Sequence, residues 1–566
     1  MAFRKACLHY KSRKNIFNLL VFLLSCTVSW YALCFAFEVV VKALDTGAED
    51  NIIMFKDIYT HEPWPGLESN LTEPGAIPAK VHYYWCGNKM FRFVDYLSLL
   101  SIVRILKPQK IIFHHFYQPR VDTFWYHTWF QELKQSVPNL VLRRSISNLD
   151  CGSEEVLKYI LNKLSQEGGV YVGEKVILTQ VPSAAYTDDF FYSFRFRNKL
   201  VDFTSGVIFS KNGFPVESIG EKLKFIYQSP RTCYIVDEFD AIPESRLPDP
   251  ERACLVADSL MYPKNIWDNT TRFSELARWL YYGQRARLFP VENSDELIPM
   301  VSHLIWMRTN NLIKSDELEF YHYLSIMSAL YVAGFKAVYI HGEIEPYGPW
   351  WELLKRENVK FILIERPETI FQQAVDGPSH QSDVLRLNIL LRYGGVYQDR
   401  DVLWVGQIPD NLRRYPVVAC PDWPQNGEWP EVFNMGVMMA KRNAPWLKSF
   451  LSTFRYYRDD KWAFNAVMMP YKAYEQHPDQ LYVDRYLQVI CFYGVCHPTW
   501  QPDYKRDIMD QRPVPAFAWR EARSFHFTVP KPPESLTSPA AVKNGDDIYA
   551  EIGKLILEKS GHLDLL

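Results

Sequence analysis

The stretch SDVLRLNILLRYGGVYQDRD, residues 382–401, predicts an amphipathic helix, a sharp turn and a short strand. Its apolar residues from Val384 to Leu391 recur at nearly helical spacing, and Ser382 suits the N-cap. The adjacent glycines Gly394 and Gly395 can adopt the left-handed conformations that end a helix and turn the chain. The residues after them favour a buried strand, so the stretch predicts a helix–strand unit of an α/β domain.

Two carboxylates separated by one residue, Asp399 and Asp401, follow that strand. Ligands of α/β domains bind at the carboxyl ends of strands, so a functional site is expected here. Two convergent carboxylates can hold Mn²⁺ or Mg²⁺, which favour oxygen ligands and keep positions open for substrate oxygens. Asp399 and Asp401 are therefore candidate metal ligands, although a D-x-D alone is more often a solvated turn. Arg400 is predicted to point to the opposite side of the strand and to be structural.

Asp383 and Arg386 lie three residues apart on one face of the predicted helix. They can bind the hydroxyls of a sugar or ribose, and the alternative is a surface ion pair worth about 0.2–0.5 kcal/mol. Together, SD-x-x-R and GG-V-Y-x-D-x-D resemble the DXD sugar-binding glycosyltransferases, which include initiating α-mannosyltransferases and α-1,4-hexosyl- and N-acetylhexosaminyltransferases. The resemblance implies a GT-A-like, Rossmann-like nucleotide-sugar domain in which Asp383 and Arg386 contact the donor.

A second enzyme class with D-x-D after a strand is the haloacid-dehalogenase type of phosphatase, whose first aspartate is the nucleophile. That pattern has Thr or Val two positions after the second aspartate, where this chain has Leu403. It also lies on the first strand of its domain, whereas Asp399 is preceded by other strands and helices of its predicted domain. The sequence therefore favours a sugar-nucleotide site.

The composition indicates a globular protein without a general affinity for nucleic acid. The chain has 566 residues and is 48% hydrophobic, which is enough for two or three packed domains. Its net charge of −2 excludes a global electrostatic attraction to nucleic acid. The 17 tryptophans suit carbohydrate-stacking surfaces and large cores alike.

The amino terminus predicts a membrane anchor. Residues 1–14 are basic and contain no acidic side chain, and an uncharged apolar stretch long enough for a transmembrane helix follows. It lacks the short core and cleavage site of a signal peptide, and the positive flank should stay cytosolic. We predict a cytosolic tail at 1–14, a transmembrane signal-anchor at 15–41 and a stem at 42–76, as in a single-pass type II protein. The alternative is a buried core helix.

Two further features agree with a lumenal glycoprotein. Asn70-Leu-Thr and Asn269-Thr-Thr are acceptor sequences for N-glycosylation, although such triplets also occur by chance. Seven of the 10 cysteines follow the apolar stretch, and an odd number leaves at least one thiol free or bonded between chains. Cys491 and Cys496 form the expected local disulfide in an oxidising lumen.

An internal repeat follows the stem. IPAKVHYYWC at 77–86 matches IPMVSHLIWM at 298–307, and each is followed by a helical stretch and a second strand. In this alignment the second strand ends at His115 in the first copy and at His341 in the second. Alternating strands and helices predict an α/β domain with a largely parallel sheet in each copy. We therefore predict tandem GT-A-like domains at residues 77–290 and 297–566.

The first copy differs where the second has its two carboxylates. It reads GGVYVGEKV at 168–176, which places Gly173 opposite Asp399 and Lys175 opposite Asp401. A lysine has no lone pair for a cation at neutral pH, and its charge repels one. The first domain is therefore predicted to be a degenerate copy without metal-dependent activity.

The helix before this turn can also be aligned. With a gap of two residues, Glu155 and Lys158 of the first copy are placed opposite Asp383 and Arg386.

Two later residues complete the site that the resemblance implies. Asn434, in VFNMGVMMA, is expected beside the donor sugar and is replaced by Thr204 in the first copy; the alternative is a turn-satisfying asparagine. His526, in SFHF, is expected to complete the metal shell, since imidazole is an acceptable ligand for Mn²⁺; the alternative is a core histidine. Trp423 or Trp429 can stack on an acceptor sugar or simply pack within their loop. No catalytic nucleophile can be named.

Taken together, these features predict a Golgi type II membrane glycosyltransferase. The resemblance implies transfer of a hexose or N-acetylhexosamine from a nucleotide sugar to a glycan acceptor on lipid or protein. It also implies dependence on Mn²⁺ or Mg²⁺ and retention of anomeric configuration, and a UDP-sugar is favoured over GDP-mannose. The alternative is a catalytically inactive lumenal carbohydrate-binding protein.

Overall fold

The computed structural model describes residues 80–566 except for short gaps at 146–148, 150, 152, 183–184, 186–187, 198–199, 211–212, 229–230, 237–253, 258, 294, 309–316, 424–427, 494, 502–503, 505–516 and 530–531. The predicted tail, anchor and stem, and the acceptor sequence at Asn70, lie outside the described residues. Within the described part of the chain, no helix is long and apolar enough to cross a membrane.

The described residues belong to one compact unit of alternating strands and helices. The strands are β1 Lys80–Trp85, β2 Lys110–His115, β3 Leu140–Arg144, β4 Gly169–Val172, β5 Val176–Leu178, β6 Phe190–Arg197, β7 Leu200–Ser210, β8 Tyr234–Val236, β9 Cys254–Ala257, β10 Val301–Trp306, β11 Ala337–Gly342, β12 Val359–Leu363, β13 Thr369–Ile370, β14 Gln373–Ala374, β15 Gly395–Gln398, β16 Val402–Trp404, β17 Val417–Asp422, β18 Val432–Ala440, β19 Tyr482–Val483, β20 Val489–Phe492, β21 Val495–His497 and β22 Ser524–Val529. The α-helices are α1 Phe93–Ser101, α2 Trp129–Ser136, α3 Glu154–Glu167, α4 Ile219–Gln228, α5 Arg272–Tyr282, α6 Phe320–Ser328, α7 Pro349–Leu354, α8 Pro378–Tyr393, α9 Pro445–Thr453, α10 Met469–Gln476, α11 Pro539–Asn544 and α12 Ile548–Ser560.

Two large sheets share one strand order. The first half of the chain (residues 80–290) forms the sheet β3-β2-β1-β4-β7-β6, and the second half (residues 297–566) forms β12-β11-β10-β15-β18-β17-β19. In each sheet the first four strands are parallel, whereas the next two pair antiparallel. Strands β17 and β18 are consecutive and joined by a loop, which produces antiparallel pairing. The sheets are therefore α/β and largely parallel as predicted, with antiparallel pairs on one side of each sheet.

A buried histidine pair recurs in both halves and corrects the alignment of the repeat. His303 Nδ1 lies 3.1 Å from His341 Nε2, and His82 Nδ1 lies 3.0 Å from His114 Nε2. The partner of His341 in the first half is therefore His114, although β2 does end at His115 as predicted and β11 ends at Gly342, one residue after the predicted His341. The strand register causes the shift, because β2 extends one residue beyond the histidine that faces β1.

Helix α8 begins earlier than predicted and ends as predicted. Gly377 is its N-cap and Pro378 its first residue, so Ser382 lies inside the helix rather than at its cap. Proline is favoured at this first position because its missing N–H would have no helical partner. At the other end Gly394 and Gly395 have φ of 65° and 106°, which only glycine adopts readily. This turn carries the chain from α8 into β15.

Three disulfides and one thiol occupy the described cysteines. The predicted bridge between Cys491 and Cys496 joins the hairpin strands β20 and β21, and is confirmed. The other bridges join Cys86 to Cys151 and Cys233 to Cys254. Cys420 is a buried free cysteine, in agreement with the odd count.

Candidate active site

Three potential metal ligands meet at the carboxyl end of β15. Asp399 directly follows this strand, and Asp401 directly precedes β16. Strand β22 pairs antiparallel with β16 in a register that sets His526 opposite Val402, next to Asp401. One ligand atom from each of Asp399, Asp401 and His526 lies within 4.8 Å of the others. Two carboxylates and an imidazole suit Mn²⁺ or Mg²⁺, so the residues fit the ion that the resemblance implies.

The imidazole of His526 is oriented by its neighbours. Its Nε2 lies 3.4 Å from Asp401 Oδ1 and 3.7 Å from Asp399 Oδ2. Its Nδ1 lies 3.1 Å from Asn434 Oδ1. A Cβ at Gly436 would lie 2.4 Å from His526 Cε1, so glycine at this position makes room for the ring.

Asn434 connects the histidine to a buried carboxylate. Its Oδ1 also accepts a hydrogen bond of 2.8 Å from Gly436 N, and its Nδ2 donates to Asp422 Oδ2 at 3.0 Å. Asp422 Oδ1 accepts from Trp423 N at 2.8 Å. The amide orientation is therefore set by two protein groups, and Asn434 acts on His526 in addition to any contact with a donor.

Asp383 and Arg386 form a buried ion pair beside Asp399. Arg386 Nη2 lies 3.0 Å from Asp383 Oδ1 and 3.6 Å from Asp399 Oδ1. Arg386 Nη1 also donates to Met435 O at 2.8 Å, and its guanidinium lies 4.5 Å above the ring of Tyr397. The pair is not the surface salt bridge considered as the alternative, since both side chains are buried.

A polar layer supports the D-x-D turn from beneath. Tyr397 donates its hydroxyl hydrogen to Asp399 Oδ1. Gln398 is fully buried, and its Oε1 accepts from Ser302 Oγ at 2.7 Å and from Trp404 Nε1 at 2.8 Å. Asp399 N donates to Gly436 O at 2.7 Å. The turn is therefore held on both sides.

All six predicted site residues line one cavity of about 520 Å³, a size typical of small-molecule sites. Those residues are Asp383, Arg386, Asp399, Asp401, Asn434 and His526. Trp462 also lines the cavity and is 63% exposed.

Arg400 lines the cavity too, and its guanidinium lies 5.4 Å from the ring centre of Trp306. The prediction that Arg400 points away was wrong, because Asp399 to Asp401 form a turn rather than a strand with alternating sides.

The two candidate tryptophans have different surroundings. Trp423 lines the cavity, and its ring centre lies 4.0 Å from that of His497. Trp429 instead donates its Nε1 hydrogen to Phe124 O of the first half at 2.9 Å. Only Trp423 is therefore placed to contact a ligand in this cavity.

Two carboxyl groups that line the cavity have raised pKa values. Burial raises the pKa of Asp383 to about 6, with Arg386 opposing the shift. Burial also raises the pKa of Asp422 to about 6, against its hydrogen bond from Asn434. Asp422 was not singled out from the sequence, although its position at the end of β17 is the kind of place where ligands bind.

In the first half, other residues occupy the three positions of the candidate metal ligands. Gly173 N donates to Gly206 O at 2.7 Å, the bond that Asp399 makes with Gly436, so Gly173 takes the place of Asp399. Val256 of β9 pairs with Val176 of β5, just as His526 of β22 pairs with Val402 of β16. Val256 therefore takes the place of His526. Together with Lys175, this replaces all three candidate ligands.

The charged pair of the helix is also absent from the first half. Helices α3 and α8 end with the same bond, Gly168 N to Leu164 O at 2.9 Å and Gly394 N to Leu390 O at 2.8 Å. Counting back along the uninterrupted helices places Leu157 and Ile160, both buried, opposite Asp383 and Arg386. The alignment with Glu155 and Lys158 was wrong, because it required a gap that a continuous helix does not contain.

Comparison with known proteins shows what the region around the D-x-D turn is similar to. Residues 294–418 match the family model of the glycosyltransferase sugar-binding region containing DXD motif. The chain is 30% identical over 192 residues to glucan organizing enzyme 1 of Cryptococcus neoformans var. grubii, an alignment that covers 33% of this chain and 50% of the relative. The chain thus spans about half the length of that relative.

Solved structures with partial similarity include two glycosyltransferases. The PaToxG glycosyltransferase is 22% identical with a TM-score of 0.23, over 32% of this chain and 71% of its own. Mouse xyloside xylosyltransferase 1 is 16% identical with a TM-score of 0.27, over 42% of this chain and 100% of its own. Similarities at these TM-scores establish neither the fold nor the function of this chain.

Proposed function

We propose that the second half transfers a hexose or N-acetylhexosamine from a nucleotide sugar to a glycan acceptor, which the match of residues 294–418 to the DXD family model supports. The observation that carries this proposal is the convergence of Asp399, Asp401 and His526 within 4.8 Å at the wall of the cavity. The nucleotide is a UDP-sugar rather than GDP-mannose, and the acceptor is a glycan on lipid or protein.

Each group at the site has a chemical task in this proposal. Asp399, Asp401 and His526 would hold Mn²⁺ or Mg²⁺, which when bound supplies a Lewis acid for the charge of the donor diphosphate. Burial lowers the pKa of Arg386, but Tyr397 and the carboxylates of Asp399 and Asp383 outweigh it and raise the pKa, so the guanidinium stays charged. Asp383 and Arg386 bind hydroxyls of the donor.

The reaction retains the configuration of the transferred sugar. The bond between the anomeric carbon and the diphosphate oxygen breaks, and a bond from an acceptor hydroxyl oxygen to the same face of that carbon forms. The proton of the acceptor hydroxyl passes to the departing diphosphate oxygen, so no protein nucleophile is required.

The cellular setting of the proposal is the Golgi membrane. The basic residues 1–14 and the apolar stretch after them support a type II anchor with the described part in the lumen. Three disulfides in the described part suit that oxidising compartment.

Hydrolysis of a panel of nucleotide sugars by the full-length protein, with and without Mn²⁺, tests the proposal. The unsubstituted protein should turn over one donor only with the metal, and Asp399→Asn/Asp401→Asn should abolish this turnover. Asp410→Asn is the matched control, since Asp410 pairs with Arg413 on the surface. If no donor is hydrolysed and sugars bind without nucleotide, the protein is the carbohydrate-binding pseudoenzyme instead.

A further inference from the structure

The first half keeps its fold without the residues of a metal site, and it contacts the second half beside the cavity. We infer that the first half is a positioning module: it holds two walls of the active-site cavity of the second half on the side of the glycan acceptor. The inference rests on the proposed function for the identity of the acceptor, but the contacts that carry it are independent of turnover.

The first wall is formed at the described ends of the connection between β17 and β18, residues 423 and 428–431. Trp423 of this connection lines the cavity, and Glu428 and Trp429 follow it. Glu428 is held by two side chains of the first half, with His127 Nε2 at 2.7 Å from its Oε2 and Arg92 Nη2 at 3.2 Å from its Oε1. A carboxylate only accepts, so His127 carries its hydrogen on Nε2.

Trp429 adds a second anchor for the same connection. Its Nε1 donates to Phe124 O at 2.9 Å, and its ring centre lies 5.1 Å from that of Tyr126. Trp429 is 4% exposed, so this contact is buried between the halves. The part of this connection that leads into β18 is thus attached to the first half by ion pairs, a hydrogen bond and an aromatic contact.

The second wall is the π-helical segment Phe464–Met468, which leads into helix α10. Glu475 of α10 is fully buried, and its Oε1 accepts from Tyr126 of the first half at 2.6 Å. Tyr282, also of the first half, donates to the backbone oxygen of Glu475 at 2.6 Å. Lys472 Nζ lies 3.4 Å from Glu475 Oε2 and 3.9 Å from the ring centre of Trp129. The first half therefore supplies most of the surroundings of a buried charge pair.

Helix α10 directly follows the segment that lines the cavity. The π-helical segment Phe464–Met468 leads into α10, and its residues Ala466 and Val467 line the cavity. Lys472 and Glu475 pair with each other within α10, and separating the halves would remove the hydrogen bond of Tyr126 from Glu475 and the ring of Trp129 from Lys472. The segment is therefore fixed in position by contacts of the first half.

The metal-ligand cluster is held differently. Asp399 accepts a hydrogen bond from Tyr397 and donates one to Gly436 O, and His526 is hydrogen-bonded to Asn434, all within the second half itself. The donor-binding pair Asp383 and Arg386 also lies on a helix of the second half. The walls that depend on the first half are consequently those left for the acceptor, which explains why a half without a metal site is retained.

Hydrogen–deuterium exchange on the full-length protein, with mass spectrometry, tests the inference without an acceptor. The variants are Glu428→Ala and Trp429→Phe, and the control is Glu167→Ala. Glu167 pairs with Arg143 at 2.7 Å within the first half, and its side chain is 24% exposed against 35% for Glu428. Tyr126→Phe tests the second wall.

We expect Glu428→Ala and Trp429→Phe to speed exchange in residues 417–423 at least about threefold and to leave 395–398 unchanged. Tyr126→Phe should speed exchange in residues 464–476 by a similar factor. Glu167→Ala should leave the exchange of both 417–423 and 464–476 unchanged. Unchanged exchange in 417–423, or an equal increase in 395–398, would overturn the inference.

Turnover adds a functional readout. With the best p-nitrophenyl glycoside as acceptor, the wall variants should raise the acceptor KM about tenfold and leave donor hydrolysis within about twofold, since the donor and metal side of the site is untouched. A raised KM for the donor instead would contradict a role on the acceptor side. Failure of the proposed function would show separately, as a lack of metal-dependent hydrolysis by the unsubstituted protein.

Discussion

The Nδ1 atom of His526 lies 3.1 Å from Asn434 Oδ1, an oxygen that also accepts a hydrogen bond from Gly436 N. Because an amide oxygen only accepts, Nδ1 carries a hydrogen, so Nε2, which faces Asp401, is the nitrogen that can bind a metal. Asp422 fixes the amide in this orientation through Asn434 Nδ2. Such outer contacts of a ligating histidine set its tautomer and its affinity for a metal.

Removing this support should weaken metal binding. We expect Asn434→Leu and Asp422→Asn each to lower the affinity for Mn²⁺ by about 10–100-fold, the usual effect of an outer contact. Calorimetric titration of the full-length protein with MnCl₂ measures it. Asn465→Leu is the control, since Asn465 is equally buried but bonds the backbone of Arg458. Equal Mn²⁺ affinity in all four proteins would contradict the orientation role.

Glu174 should make stability fall as the pH rises. Burial raises its pKa to about 7, with Lys89 opposing the shift, from an ordinary value of 4.5. The folded protein therefore binds the proton more tightly than the unfolded chain, so this group's contribution is present below pH 4.5 and lost as the pH rises through 7. The loss is about 3 kcal/mol in the free energy of unfolding.

Glu174→Gln keeps the shape and the acceptor oxygen for Cys86 N but has no proton to lose. We expect its free energy of unfolding, measured by denaturant titration between pH 4.5 and 8, to vary less with pH than that of the unsubstituted protein. If the pH profiles of the variant and the unsubstituted protein run parallel, Glu174 is ionised throughout this pH range and the prediction is wrong.

Gly173 should not tolerate a side chain. A Cβ there would lie 2.2 Å from Thr204 O, a backbone atom of the neighbouring strand. Gly173→Ala should therefore lower the free energy of unfolding by about 1–3 kcal/mol through overpacking. Gly220→Ala is the control, since nothing lies within 4 Å of its Cβ in a helix, and it should stabilise by about 0.5–1 kcal/mol.

The thiol of Cys420 should be unreactive in the native protein. Burial raises its pKa to about 12, so almost no thiolate forms at neutral pH. Alkylation with iodoacetamide followed by peptide mass mapping should leave Cys420 unmodified in buffer and modify it in denaturant. Rapid native labelling would contradict the buried position on β17.

The sequence alone determined the features that depend on neighbouring residues. The glycines after α8, the two carboxylates after β15 and the bridge from Cys491 to Cys496 follow from turn chemistry and short separations. The loss of these carboxylates from the first half was equally visible, because Gly173 and Lys175 stand in an otherwise matching segment.

The tertiary structure decided which distant residues meet. His526 reaches Asp401 only through the register of β22 on β16, and the same register reveals Val256 as its counterpart in the first half. The choice of His114 over His115 also depends on a register of one residue. The physical reason is that a shift by one residue reverses which side of a strand each side chain faces, and packing across the whole sheet selects the register. Local sequence patterns contain no information on that selection.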